Sequence, residues 1–163
     1  MTKDTYILTA AEIAADPGTA KTHFLNPNAQ RINKSLGDQT GLSGFGFHII
    51  EVQPGHETTE HHRHYYEDEC VYVLAGTATA YIDETPHPIG PGDFVGYRKG
   101  GAAHSIVNTG SEVFRCIVVG ERLAHDVGDY TRKGKRIYRN AGMAWELCDL
   151  DAVEQLGGTV GKK

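Results

Sequence analysis

From Gly44 to about Gly120, apolar residues fall at alternate positions in short runs, each closed by glycine, proline or aspartate. Strand side chains alternate between two faces, so this pattern predicts β-structure. Phe45 to Val52 is the first strong run, and both of its faces carry apolar residues, so it should be covered on both sides. Further strands are predicted at Glu69 to Leu74, Thr77 to Ile82, Phe94 to Tyr97, His104 to Asn108 and Val113 to Val119. Between them lie turn residues: Pro54-Gly55, Asp83-Glu84-Thr85-Pro86, Gly90-Pro91-Gly92-Asp93, Lys99-Gly100-Gly101 and Thr109-Gly110-Ser111. Many short strands at this spacing predict an all-β sandwich or barrel.

The flanks are patterned differently. Thr9-Ala10-Ala11-Glu12 is a capping box that should start a short helix, and Pro17-Gly18 should end it. Phe24 to Asn28 is expected to be an irregular arm, Ala29 to Leu36 a first strand, and Gly37 to Gly44 a turn-rich link. After Gly120 the alternation loosens. Asp151 to Glu154 could cap a short final helix, and Gly157 to Lys163 reads as a frayed tail.

Composition narrows the class. The 163 residues suit one domain, with a barrel over about 44–120, an N-terminal arm over 1–43 and a C-terminal extension over 121–163. A net charge of −5 argues against nucleic acid as a general partner. No apolar run approaches the roughly 20 residues of a membrane span. Met1 to Thr5 does not resemble a secretory signal, and three scattered cysteines suggest no disulfide framework, so a cytoplasmic protein is expected.

The candidate chemistry is concentrated between Gly55 and Gly76, where four of the nine histidines, His56, His61, His62 and His64, lie within nine residues. Imidazoles with a nearby carboxylate suit a borderline divalent metal. Parity separates the cluster: His62 and His64 share one strand face, and His61 and Arg63 share the other. Glu69 shares a face with Val71 and Val73, although Glu67 and Asp68 compete with it. A closed barrel could bring His62, His64, Glu69 and His104 to one lumen, as three nitrogens and one carboxylate with room for water or substrate.

These residues resemble the two ordered motifs of the cupin superfamily. The first is matched by Gly55, His62-Arg63-His64, Glu69 and Gly76, and the second by Gly92, Asp93, Gly101, His104 and Asn108. Gly55 stands one residue farther from the His pair than is usual, the Gly92–Gly101 interval is one residue longer, and Lys99 stands near the usual proline. The resemblance implies a double-stranded β-helix, a small jelly-roll barrel, with short terminal helices and one divalent transition metal (Zn, Mn, Fe or Ni) in its lumen. It also implies that a homodimer is plausible.

Other residues have plainer readings. Asn108 should tie down a strand, and His23, His48, His56, His87 and His125 should be surface or structural residues. Arg98 and Lys99 read either as an anchor for a phosphate or carboxylate or as a solvated turn. The basic run 132–139 reads as a solvated face. Three functions stay open for a small-molecule substrate. The first is a sugar-phosphate isomerase with Tyr97 or Glu67 as proton-moving base, favoured by Arg98-Lys99 and by resemblance to isomerase cupins. The second is a non-haem metal-dependent dioxygenase, and the third is a non-catalytic binding cupin.

Overall fold

The computed structural model describes residues 5–156. The tail expected over 157–163 lies outside them, as do residues 1–4. The expected capping box forms at α1, Ala10–Ala15: Thr9 Oγ1 accepts from the Glu12 amide and the Glu12 carboxylate accepts from the Thr9 amide. The chain turns at Gly18, which has φ +69°, and enters an antiparallel hairpin of β1 (Thr19–His23) and β2 (Asn26–Ser35). The segment expected to be an irregular arm, Phe24 to Asn28, is therefore the turn of this hairpin and the first residues of β2. β1 escapes notice because four of its five residues are exposed and it has no apolar alternation; backbone pairing to β2 defines it.

A short helix α2 (Leu36–Gln39) leads to β3 (Phe45–Val52), β4 (Arg63–His64), β5 (Glu69–Ala75), β6 (Ala78–Ile82) and β7 (Thr85–Ile89). Then come β8 (Phe94–Tyr97), β9 (His104–Val107), β10 (Phe114–Glu121), β11 (His125–Tyr130), β12 (Lys135–Asn140) and β13 (Glu146–Asp149). The central strands agree with the alternation to within about two residues. β7 was hidden by its prolines, Pro86 and Pro88. It pairs only with β6, at the edge of its sheet, where missing amide donors are tolerated. Leu150–Ala152 forms one 3-10 turn where a final helix was expected.

The architecture is all-β, two sheets folded over a core as a jelly roll. One sheet has the order β1-β2-β3-β10-β5-β8. The facing layer contains β7-β6-β9 and β13-β12-β11-β4, joined by antiparallel bridges from Glu57 to Val107 and from His62 to His104. The stretch after Gly120 thus continues the second layer, with β11 pairing β4 at Gly128–His64. Its strands lack a clean apolar pattern because ion pairs fill several inward positions. The basic run is only partly solvated: Arg132 and Lys133 are exposed, whereas Arg136 and Arg139 are half-buried and paired to carboxylates.

Ile50, Val52, Val71, Val73, Ile106 and Phe114 form the centre of the core. Gly76 closes β5 with φ +73°, and a Cβ there would stand 2.5 Å from the Val113 carbonyl oxygen, so backbone conformation and space both require glycine. Asn108 is fully buried and clamps three loops: its Nδ2 donates to the carbonyls of Val52 and Glu112, and its Oδ1 accepts from the Gly110 amide. Among the described residues, no helix is long and apolar enough to cross a membrane.

Candidate metal centre

Backbone pairing assembles the site. His62 and His104, 42 positions apart, exchange two hydrogen bonds, His62 N to His104 O at 3.0 Å and His104 N to His62 O at 2.7 Å. Their imidazole centroids are 4.5 Å apart. His64 follows on β4 with its ring 4.8 Å from that of His62. Glu69 at the start of β5 reaches across from the other sheet, 3.9 Å from the Nε2 atoms of both His64 and His104. The structure therefore brings His62, His64, Glu69 and His104 together. His61, of opposite parity, points away and bonds Ser105 Oγ at 3.0 Å.

Protonation follows from the partners. His62 Nδ1 faces the Glu60 carbonyl at 2.8 Å, and His64 Nδ1 faces the Asp126 carboxylate at 2.7 Å. Both partners only accept, so each Nδ1 carries a proton, and in the neutral ring each Nε2 keeps its lone pair. His104 Nδ1 faces the Ala102 carbonyl at 3.5 Å, and its buried Nε2 has no hydrogen-bond partner among the described residues. The Nε2 atoms of His62 and His64 are 3.1 Å apart. At that distance either a proton on one Nε2 or a cation between the two relieves the repulsion of their lone pairs. Burial lowers the His62 pKa well below the ordinary value and takes His104 down to about 3, so both stay neutral ligands. Burial also works to lower His64, but the Asp126 hydrogen bond and the Glu69 charge outweigh it and raise its pKa. That field favours positive charge at this point. His62, Glu69 and His104 lie close enough to hold one ion, and His64 Nε2, 3.1 Å from His62 Nε2 and 3.9 Å from Glu69, can join them; this donor set fits a divalent transition metal with positions left open.

His64, Glu67 and Asp126 also lie close enough to suggest a second cation site. Arg139 already fills that role: its guanidinium donates to both Glu67 and Asp126. Asp126 is 1% exposed, and although burial alone would raise its pKa, His64 and Arg139 hold it down at about 2. It orients His64 from behind as an ionised carboxylate.

His62, Glu69 and His104 line an inner chamber of about 170 Å³, and His64 joins His62 and Glu69 in lining an outer groove of about 660 Å³. Tyr97 lines the chamber, its ring stacked parallel on His104 at 3.6 Å. Its hydroxyl is buried without a partner among the described residues, and burial raises its pKa far above the ordinary value. Glu67 lines only the outer groove, and its carboxylate accepts from the Leu123 amide and Arg139. Arg98 is exposed in a neighbouring surface depression that shares Glu69 and Tyr97 with the inner chamber, and Lys99 lines neither cavity.

The chamber also holds groups outside the motifs. Lys21 and Arg31 line both cavities, as does His48, which had the reading of a surface or structural residue. Tyr130 and Arg139 line the outer groove. Alternation offered a faint trace of them: Asp126, Gly128 and Tyr130 share one face of β11, and Ala29, Arg31 and Asn33 share one face of β2. Neither set is apolar enough to mark itself as inward-facing.

Comparison with known proteins agrees with this geometry. Residues 48–120 match the family model of the cupin domain. A curated relative, protein SchB of Streptomyces halstedii, is 36% identical over 83 residues, 51% of this chain and 56% of that protein, so the match spans just over half of that relative. Two crystal structures resemble nearly the whole chain. One is a provisionally named sugar phosphate isomerase from Acidithiobacillus ferrooxidans, 50% identical with TM-score 0.90, covering 93% of this chain and 96% of that one. The other is a sugar phosphate isomerase of the cupin superfamily from Silicibacter pomeroyi, 26% identical with TM-score 0.73, covering 85% and 89%. With its two motifs, jelly-roll sheets and domain match in agreement, this chain belongs to the cupin superfamily.

Proposed function

We propose that the protein is a metal-dependent isomerase of a small phosphorylated sugar. The observation that carries this reading is the convergence of His62, His104 and Glu69, with His64 beside them, at a chamber that also holds cationic side chains. The names of the two nearly full-length structural relatives support it. A divalent ion held by His62, His64, Glu69 and His104 would supply Lewis-acid polarisation of the substrate carbonyl.

The chain's own residues supply the rest. Moving a proton between adjacent carbons needs a base with a lone pair at neutral pH. Glu67 is committed to Arg139 and lies outside the inner chamber. Tyr97 stays protonated, which suits it to donate a hydrogen bond to a substrate oxygen. Of the inner-chamber residues outside the ligand set, His48 is the base we assign. Burial, followed by the Arg122 charge, lowers its pKa, so its imidazole is neutral.

The test is turnover of a panel of aldose and ketose phosphates by metal-loaded protein. Isomerisation lowered at least tenfold in kcat by His48→Gln is expected, and no turnover across the panel would discard the reading. The reading also includes a homodimer. Tyr72 and Phe94, adjacent on β5 and the edge strand β8, are 44% and 66% exposed, and a pair of protomers would cover them. A monomer mass by sedimentation would overturn that part.

A further inference from the structure

We propose that the β1–β2 hairpin, which lies outside residues 48–120, forms a phosphate-binding subsite centred on Arg31 and Lys21. The two residues are direct partners in the hairpin register, so their side chains leave the same face of the ribbon. That face closes the chamber: both residues line the inner cavity with His62, Glu69 and His104, and both line the outer groove.

The argument rests on uncompensated charge. Arg31 is half-buried, and burial is the main influence on it, lowering its pKa. Its Nη1 donates to the Thr58 carbonyl, a neutral acceptor. Among the described residues neither Arg31 nor Lys21 forms an ion pair. The acid whose charge reaches Arg31 is Glu69, which the metal centre also uses. A guanidinium withdrawn from water without its own carboxylate is costly, and natural structures keep such groups where an anion completes them.

The ligand class follows from charge and donors. Two cations match a phosphate monoester near −2 better than a carboxylate at −1. Asn33, Thr58 and Thr59 line the same chamber and can offer further donors to phosphate oxygens. The subsite lies on the chamber lining itself, whereas Arg98, the other expected anchor, lines the neighbouring depression. It rests on the isomerase reading only in making the phosphate part of the substrate.

The experiment is titration of inorganic phosphate into the full-length protein by calorimetry, with and without a chelator, for the wild type, Arg31→Gln and Lys21→Gln. Arg31→Gln should weaken phosphate binding at least tenfold and Lys21→Gln about threefold, while the chelator leaves the wild-type affinity within about twofold. Acetate should bind more weakly than phosphate. Unchanged affinity in Arg31→Gln, or binding lost with the metal, would overturn the subsite. If Arg31→Gln fails to fold, exposed Lys21 decides the matter: unchanged affinity in Lys21→Gln counts against the proposal. Phosphate binding without turnover would discard the isomerase and leave the subsite. Turnover by Arg31→Gln at unchanged KM would do the reverse.

Discussion

The two walls of the cavity carry charge in opposite ways. On one side β12 brings Arg139 to the groove, with Asp126 of β11 behind His64, and both are paired. Arg139 bonds Asp126 and Glu67, while on the opposite face of the same strands Asp129 accepts from Arg63, Tyr65 and Arg136. On the other side the β1–β2 hairpin brings Lys21 and Arg31, which form no ion pair among the described residues. A wall whose charges satisfy each other holds the site in shape. A wall whose charge is left open is suited to receive a ligand. Polar residues outside the motifs are thus not one class, and their ion-pair partners separate them where composition does not.

The comparison can be tested by removing what lies between the walls and then working on each wall. The largest effect should come from the shared floor: His62→Ala or His104→Ala should remove most bound metal by elemental analysis, and unchanged stoichiometry would count against the centre. Next, the walls should differ in stability. Arg139→Gln leaves Asp126 and Glu67 as buried carboxylates without their cation and should cost about 2–3 kcal/mol in urea unfolding, below the upper range for a buried pair because Arg139 is a quarter exposed. Arg31→Gln removes an uncompensated cation and should change stability by less than about 0.5 kcal/mol, or raise it. Equal losses in the two variants would break the distinction.

Smaller is the effect of Asp126 on metal retention. Asp126→Ala should lower metal affinity about 10–100-fold in chelator competition, with Asp126→Asn in between because its amide oxygen still accepts from His64 Nδ1. Affinity equal to wild type in both would remove Asp126 from its orienting role.

The smallest effect is the pH dependence of Asp129. Burial alone would raise its pKa, but Arg136, Tyr65 and Arg63 bind the ionised form and bring it below the ordinary value. The contribution to stability is therefore present above the unfolded carboxyl's pKa, about 3.9, and is lost as pH falls through the lower folded value. Stability from pH 7 to 5 should be flat with respect to this group, and Asp129→Asn should show a shallower acid decline. An identical acid slope would refute the assignment.

How much of this was legible can be judged element by element. The strand from Phe45 to Val52 was visible in its apolar residues, and Glu69 to Ala75 in the alternation that buries Val71 and Val73 and leaves Tyr72 out. Motif spacing and parity brought His62, His64, Glu69 and His104 to notice and set His61 apart, because a strand's two-residue period is local geometry. β1 was illegible because Thr19 to His23 buries almost nothing, and β7 because its prolines mimic a turn. β12, Lys-Arg-Ile-Tyr-Arg-Asn, read as solvated because its arginines, Arg139 towards the groove and Arg136 on the other face, are neutralised by acids from β11 and by Glu67, which lies before β5.

The sequence by itself determined the all-β class, the central strands and the residue types of the metal centre, since alternation and motif spacing depend on neighbours along the chain. Tertiary structure alone decided which charges are satisfied. Asp126 meets His64 across 62 positions, and Arg31 shares a chamber with His104 across 73. Whether a buried charge finds a partner depends on contacts between distant segments. For that reason the supporting wall and the open wall became distinguishable only once the chain was folded.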